Sequence, residues 1–99
     1  MSDLTIRDVQ ATMDANLKRW YPDAPGGNLA AVCLNKVIEE CKELVRHPYA
    51  GEEMADVVIA MTSYASTLGI DLQAEIERKL AILAQRNDQP ERDRERGIG

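Results

Sequence analysis

The sequence predicts an all-α protein, with one four-helix domain over residues 1–87 and a flexible charged tail over residues 88–99. The chain has 99 residues, no Phe and one Trp. Its apolar residues are mainly Ala, Leu, Ile, Val and Met, which suit helix packing better than a β-sandwich. These residues recur at helical spacing, and after Asn87 they almost disappear. A core this small benefits from oligomerisation.

The first helix is expected to begin near Thr5, because Asp8 follows three residues later and can complete a capping pair. Apolar residues continue at helical spacing at Ile6, Val9, Met13 and Leu17. Residues 21–27 contain two prolines and two glycines, so the helix should end before Pro22.

The second helix is expected from about Leu29 to Arg46, with Asn28 as its N-cap. Pro48 should end it, since proline disfavours helix at the preceding residue. Cys33 and Cys41 lie eight residues apart on this helix, about 12 Å along its axis. That separation exceeds disulfide reach, so both are expected to be small buried thiols in a reducing compartment.

The third helix is expected from about Glu52 to Leu68, and it carries no charge beyond Asp56. It should therefore be the most buried element. Gly69 suits a helix C-terminus and Asp71 the N-cap of a fourth helix. The expected core stripe of that helix is Leu72, Ile76, Leu80 and Leu83.

Composition excludes several classes of protein. The net charge of −5 argues against a partner that is a nucleic-acid polymer, since such binding normally uses a basic face. No apolar run is long enough to cross a membrane, and the N-terminus lacks the features of a targeting segment. We therefore expect a cytoplasmic protein without a membrane partner.

Two pairs of acids are the main functional signal: Glu40 with Glu43, and Glu53 with Asp56. Each pair has i, i+3 spacing, which places both carboxylates on one helix face. Four facing carboxylates would repel one another unless a cation lay between them, and oxygen ligands suit Mg²⁺ or Mn²⁺. The alternative is an ordinary solvated acidic face, which spacing alone favours slightly.

The two pairs differ in how strongly they indicate a metal site. Glu53 and Asp56 lie at a helix start, where acids are common for dipole reasons. Glu40 and Glu43 lie near a helix C-terminus, where each negative charge costs about 0.3–1 kcal/mol at exposed sites. The i, i+4 combinations that include Glu39 could also share a face, but Glu40 lies on the stripe of apolar Val37 and Leu44.

A family resemblance rests on the segments 36–44 (KVIEECKEL), 52–59 (EEMADVVI) and 68–72 (LGIDL), together with Lys79. Their order matches Glu-Glu-x-x-Glu, an insert, and then Glu-x-x-Asp on consecutive helices. From about residue 29 to residue 86, the chain resembles the MazG-like, all-α nucleoside triphosphate pyrophosphohydrolases. The nine-residue insert between Glu43 and Glu53 is shorter than is usual there, and Leu83 stands where relatives often carry Asn.

The resemblance implies a set of site residues. The implied metal ligands are Glu40, Glu43, Glu53 and Asp56, holding Mg²⁺ or Mn²⁺, with two or more ions per site. Glu39 is implied as a supporting acid, and either Glu39 or Glu43 as the acceptor of the proton from water. The candidate substrate-binding residues are Lys36, Lys79, Arg86, Asn28 and Trp20.

Some of these residues have simpler alternatives. Lys36 has the spacing of a salt bridge to Glu40. Trp20 suits a core or a subunit interface as well as base stacking. Arg86 has the pattern of a solvated helix charge. Asn28 is first of all a helix cap. Because members of the family bind bases near the first two helices, the resemblance implies that Asn28 or Asn35 could nevertheless read a base edge.

The resemblance also implies an activity and an assembly. Family members hydrolyse a nucleoside triphosphate to the monophosphate and pyrophosphate, by attack of water at the α-phosphorus. A purine deoxynucleotide, dGTP or dATP, is the favoured substrate, with dCTP or dUTP open. The expected assembly is a dimer or a dimer of dimers, a homotetramer. The other classes left open are a non-enzymatic acidic helical interaction module and a metal-binding regulatory protein.

Overall fold

The structure, a computed structural model, describes residues 3–24, 26–86 and 94. Within these residues the chain forms four helices and no strand: α1 (Ile6–Trp20), α2 (Gly26–Arg46), α3 (Gly51–Thr67) and α4 (Leu72–Ala84). The predicted all-α, four-helix fold class is confirmed. The predicted tail, residues 88–99, lies outside the described residues except for residue 94.

Helix α1 begins as the sequence predicts. The Thr5 side chain accepts a hydrogen bond from the Asp8 N–H, and the Asp8 carboxylate accepts one from the Thr5 N–H, both at 3.1 Å. This reciprocal pair satisfies two backbone donors that the first helical turn leaves unpaired. The helix ends at Trp20, and the N–H of Tyr21 still donates to the Leu17 carbonyl.

Helix α2 begins earlier than predicted, and the assignment of Asn28 as its N-cap is wrong. Asn28 lies in the first turn, because Gly26 and Gly27 already belong to the helix. Glycine costs about 1 kcal/mol in a helix interior, which is why the sequence pattern favours a later start. Leu29 is half-buried in the groove between α1 and α3, and this packing offsets the low propensity of the two glycines.

Helix α3 is the most buried helix, as predicted. Its buried residues are small: Ala60, Thr62, Ser63 and Ala65. Both hydroxyls are satisfied within the helix, since Thr62 and Ser63 donate to the Ile59 carbonyl at 2.7 and 3.3 Å. Small side chains on this face let the neighbouring helices approach closely.

Helix α3 packs against both α1 and α2. The chain turns back between α2 and α3, so these two helices run antiparallel. Helix α1 is also antiparallel to α3, because Gln10 contacts residue 70 while Asp14 contacts residue 66. The Ser66 hydroxyl and Lys18 both bond Asp14 and hold the pKa of its carboxyl below the ordinary value. This contribution to stability is present above the unfolded pKa and is lost as the pH falls through the folded pKa.

The joint between α3 and α4 has the caps that the sequence predicts. Gly69 adopts φ +68°, and its N–H donates to Ser66 while the N–H of Ile70 donates to Ala65. These two bonds form a Schellman cap. Asp71 then caps α4 by accepting a hydrogen bond from the N–H of Ala74 at 3.3 Å.

Replacing Gly69 by Ala is expected to lower the free energy of unfolding by about 1 kcal/mol, because a residue with a Cβ is strained at positive φ. For a domain of this size, that loss corresponds to a Tm lower by about 4–8 °C. Gly51→Ala is the matched control. Gly51 is helical, and an added Cβ meets nothing within 4 Å at either glycine. If thermal unfolding showed an equal loss of Tm in both variants, the requirement for glycine at the cap would be contradicted.

Helix α1 holds this joint through polar contacts. The Gln10 amide donates to the Ile70 carbonyl at 2.6 Å and accepts from the Leu72 N–H at 3.1 Å. The Arg7 guanidinium pairs with Asp71 at 2.8 Å. Its hydrogen bond is the main cause that holds the pKa of Asp71 below the ordinary value. The start of α4 is therefore fixed to α1.

The rest of α4 departs from the prediction. Leu72 is half-buried, but Ile76, Leu80 and Leu83 are 37%, 59% and 38% exposed. The predicted core stripe is therefore wrong for the single chain beyond Leu72. Helical spacing identifies an apolar face, but it does not show whether the partner of that face belongs to the same chain.

The prediction that both cysteines are buried is wrong for Cys41. Cys33 is buried and Cys41 is exposed, and both are free thiols. At about 100° per residue, eight residues rotate the side chain by about 80° around the helix axis, so the two thiols face different directions. Among the described helices, none combines the length and the hydropathy needed to cross a membrane.

Candidate active site

Three acids from two helices converge near the turn between α2 and α3. One carboxylate oxygen from each of Glu40, Glu53 and Asp56 lies within 4.8 Å of the others. All three residues are half-buried. Glu40 comes from α2, while Glu53 and Asp56 come from the first two turns of α3. We call these three residues the acid cluster.

Helical register explains why Glu40 joins the acid cluster. Glu40 follows buried Val37 by three residues and precedes half-buried Leu44 by four, so it lies on the face that packs on α3. Its side chain is 13% exposed, whereas that of Glu39 is 67% exposed. The structure thus places Glu39 at the solvent-exposed margin of the acid cluster, outside its three converging residues.

Glu43 lies beside the acid cluster but is not one of the three converging residues. Its carboxylate accepts a hydrogen bond from the Arg46 guanidinium, one turn later on α2. Glu43 is still close enough to Glu53 for its charge to raise the pKa of that carboxyl. The structure therefore keeps Glu43 within electrostatic range of the site, with its own counter-charge.

Lys36 forms the salt bridge that its spacing allows. Its Nζ lies 2.9 Å from Glu40 Oε1 and 4.0 Å from Glu39 Oε2. The hydrogen bond to Glu40 is the main cause that raises the pKa of Lys36. Lys36 thus supplies a positive charge to Glu40 of the acid cluster, through a side chain that is 60% exposed.

The charge on the acid cluster is only partly balanced. Burial raises the pKa of Glu53, and repulsion from Asp56, Glu43 and Glu40 raises it further. A divalent cation fits this donor set, because it requires several hard oxygen ligands and would remove the repulsion. The residues present therefore suit Mg²⁺ or Mn²⁺.

We expect Glu53→Gln to raise the Tm of the metal-free protein at neutral pH. Because the folded pKa of Glu53 is raised, its contribution to stability is present below the unfolded pKa and is lost as the pH rises through the folded pKa. The gain should vanish below about pH 4, the ordinary glutamate range. Glu52→Gln is the control, since exposed Glu52 shares the helix start but not the acid cluster. Thermal scans with EDTA that show no gain for Glu53→Gln would contradict the repulsion.

A cavity of about 530 Å³ opens beside the acid cluster. Its acidic end contains Glu40 and Asp56, and Lys36 and Glu39 lie along α2 next to them. Farther from the turn, its lining is mainly apolar, with Met13, Leu17, Cys33 and Ala60. This size and this mixture of lining residues are typical of a small-molecule site.

Only some of the predicted substrate-binding residues line the cavity. Lys36 and Trp20 line the cavity, and so does Asn35. Trp20 is 54% exposed, with the Arg19 guanidinium 5.9 Å from its ring centroid. In the described part of the chain, three predicted residues are not among those lining the cavity: Asn28, Lys79 and Arg86.

Sequence reasoning missed Cys33 and Ser63 as cavity residues. Cys33 precedes Glu40 by seven residues, and Ser63 follows Asp56 by seven. Seven residues are two helical turns, so each lies on the same face as an acid of the cluster. Burial raises the pKa of the Cys33 thiol, which favours its protonated form. Following the helix faces of Glu40 and Asp56 for two turns away from the acid cluster would have identified both residues.

Fold and site together define an all-α protein with a carboxylate cluster at one end of a ligand-sized cavity. Over 81 residues the chain is 37% identical to a protein of Cyanophage S-2L named dATP/dGTP diphosphohydrolase, covering 79% of this chain and 72% of that protein. The chain belongs to the family of this diphosphohydrolase. No family model and no solved structure matches the chain. The predicted resemblance to nucleotide pyrophosphohydrolases is thereby confirmed.

Proposed function

We propose that this protein hydrolyses purine deoxynucleoside triphosphates, dATP and dGTP, to the monophosphate and pyrophosphate. The observation that carries the proposal is the convergence of Glu40, Glu53 and Asp56 at one end of a cavity of about 530 Å³. The name of the cyanophage relative supports the reaction and the purine bases. The order of the acid pairs on consecutive helices supports the narrower assignment to the MazG-like family.

The acid cluster would hold Mg²⁺ or Mn²⁺, with Glu43 as an additional ligand if a second ion binds. Such a cation neutralises phosphate charge and favours in-line attack by water. The oxygen of water bonds to the α-phosphorus, the bond from that phosphorus to the bridging oxygen breaks, and pyrophosphate leaves with the electron pair. Glu39 or Glu43 accepts the proton from water.

Lys36 would change partners when substrate binds. Its side chain lines the cavity and is 60% exposed, so its ammonium can move from Glu40 towards a phosphate oxygen. A cation bound by Glu40 would replace the charge that Lys36 supplies. Trp20, on the cavity wall, offers an aromatic face for a base.

We also propose that the protein assembles as a dimer or a dimer of dimers. Apolar residues on α4 are exposed in the single chain, with Leu80 at 59%. Those on α2 include Val45 at 79% and Ile38 at 46%. A second copy would cover such faces, and it would also allow Lys79 and Arg86 to approach a site at the subunit boundary. Two free thiols suit a cytoplasmic location.

The proposed function is tested with a panel of the four dNTPs, the four NTPs and dUTP, each with Mg²⁺, with Mn²⁺ and with EDTA. We expect equal amounts of pyrophosphate and monophosphate from dATP and dGTP, and none with EDTA. Preference for dCTP or dUTP would contradict the purine assignment. Cation binding without turnover would indicate a regulatory protein, and neither binding nor turnover would indicate an interaction module.

A further inference from the structure

Asn35 is a polar residue on the cavity wall that the proposed chemistry does not use. It lies on α2 and lines the cavity together with Lys36 and Glu39. Its side-chain amide makes no hydrogen bond to another described residue. An amide beside an apolar cavity floor is available to a ligand, because it carries both a donor and an acceptor.

The position of Asn35 relative to the acid cluster suits a base rather than a phosphate. Asn35 precedes Glu40 by five residues, which is about 7.5 Å along the helix axis and about 140° around it, so Asn35 lies on the exposed side of the cavity. It precedes Glu39 by four, so the two side chains share one face of α2. If the acids engage the phosphates, the sugar and base extend away from the turn, towards Asn35 and the apolar floor.

The two purine bases present opposite patterns at the edge that Asn35 would meet. Adenine offers a donor at its 6-amino group and an acceptor at N1, whereas guanine offers an acceptor at O6 and a donor at N1. A side-chain amide also pairs one donor with one acceptor. Rotating it by 180° exchanges the two, so one Asn can bond either purine with the same number of hydrogen bonds.

We propose that Asn35 reads the 6-position and N1 of the base, and that rotation of its amide allows the site to accept both adenine and guanine. This inference rests on the proposed function and identifies a specificity residue for it. Cytosine and thymine carry equivalent patterns on a single ring. Their edge lies closer to the sugar, so a residue placed to meet a purine edge does not reach it.

Asn35→Asp tests this role, because a carboxylate only accepts hydrogen bonds. At the 6-position and N1, a carboxylate accepts one hydrogen bond from either base, from the 6-amino group of adenine or from N1–H of guanine, and faces one acceptor. Guanine alone can shift along this edge and donate two hydrogen bonds to the carboxylate, from N1 and the 2-amino group. We expect the ratio of kcat/KM for dGTP to that for dATP to rise at least about tenfold, as for a lost base contact. For dCTP and dTTP, Asn35→Asp should change kcat/KM by the same factor.

Two further variants complete the test. Asn35→Leu removes both hydrogen bonds and should lower kcat/KM about 10- to 100-fold for dATP and dGTP alike. Gln73→Glu is the matched control, since it makes the same amide-to-carboxylate change at the start of α4, outside the cavity lining, and keeps an acceptor for the Arg7 N–H; its dGTP to dATP ratio should equal that of the wild type. Asn35 is exposed, so circular dichroism should show unchanged helicity in every variant.

Equilibrium binding of the α,β-imido analogues of dATP and dGTP separates this inference from the proposed function. A shift in the Kd ratio with Asn35→Asp supports the role of Asn35 even if the wild type hydrolyses no dNTP, a result that would reject the proposed function alone. Hydrolysis by the wild type with unchanged kcat/KM and Kd ratios in Asn35→Asp would overturn the role of Asn35 alone. Absence of both binding and hydrolysis in the wild type would overturn both.

Discussion

Asp56→Asn is expected to lower kcat for dNTP hydrolysis at least about 1,000-fold, because losing one cation ligand removes several kcal/mol of transition-state stabilisation. Asp56 is half-buried and belongs to the acid cluster. Glu40→Gln should have a similar effect. Pyrophosphate release measures the loss, and circular dichroism should show that helicity is retained.

Asp23→Asn is the matched control for Asp56→Asn. Asp23 is exposed in the turn between α1 and α2, so the variant removes an equal charge outside the acid cluster and the cavity lining. Its kcat should match that of the wild type. Turnover retained in both Asp56→Asn and Glu40→Gln would reject the acid cluster as the site of chemistry.

Leu80→Asp is expected to convert the assembled protein to a monomer. Leu80 is 59% exposed in the single chain, so the change should alter the stability of the protomer by only about 0.5 kcal/mol. Within an interface, an apolar anchor contributes about 2 kcal/mol or more, so association should weaken at least about 30-fold. Light scattering measures the mass, and hydrolysis should fall with it.

Tyr49→Asp provides the comparison for Leu80→Asp. Tyr49 is a large residue in the turn before α3 and is 95% exposed. The same change there should leave the mass of the assembly intact. A monomeric wild type would reject the proposed assembly, and an unchanged mass for Leu80→Asp would show that the α4 face is not the interface.

Local signals predicted the fold well. Thr5 with Asp8, Gly69 and Asp71 act as caps in the positions expected from their side chains. A cap involves bonds between residues close in sequence, so the sequence contains all of the partners. Asn28 is an exception, since it was expected to be the N-cap of α2. The packing of Leu29 extends the helix back through Gly26 and Gly27 instead.

Predictions that depend on distant partners were less successful. The α4 stripe around Leu80 is apolar, yet the described part of the chain supplies little to cover it. Cys41 was expected to be buried because of its residue type, but its angular position on α2 exposes it. Periodicity shows which residues share a face, but which faces meet depends on helix crossings that the sequence pattern does not contain.

In the candidate site, too, spacing along one helix was predicted well, while the side-chain partners were not. Spacing placed Glu53 and Asp56 on one face, and the structure brings both to Glu40. Spacing also paired Glu43 with Glu40, but Arg46 lies one turn from Glu43 and binds it. Competition between nearby charges selects the side-chain orientation, and i, i+3 spacing alone does not determine its outcome. The cavity floor needs α1, whose packing the acid motif does not encode.

Hydrolysis in ¹⁸O-labelled water tests the central proposal, attack of water at the α-phosphorus of a purine dNTP, most directly. With dATP or dGTP and Mg²⁺, mass spectrometry of the products should show one ¹⁸O atom in the monophosphate and none in pyrophosphate. Label in pyrophosphate, or release of inorganic phosphate with a diphosphate, would place the attack at another phosphorus and contradict the proposal.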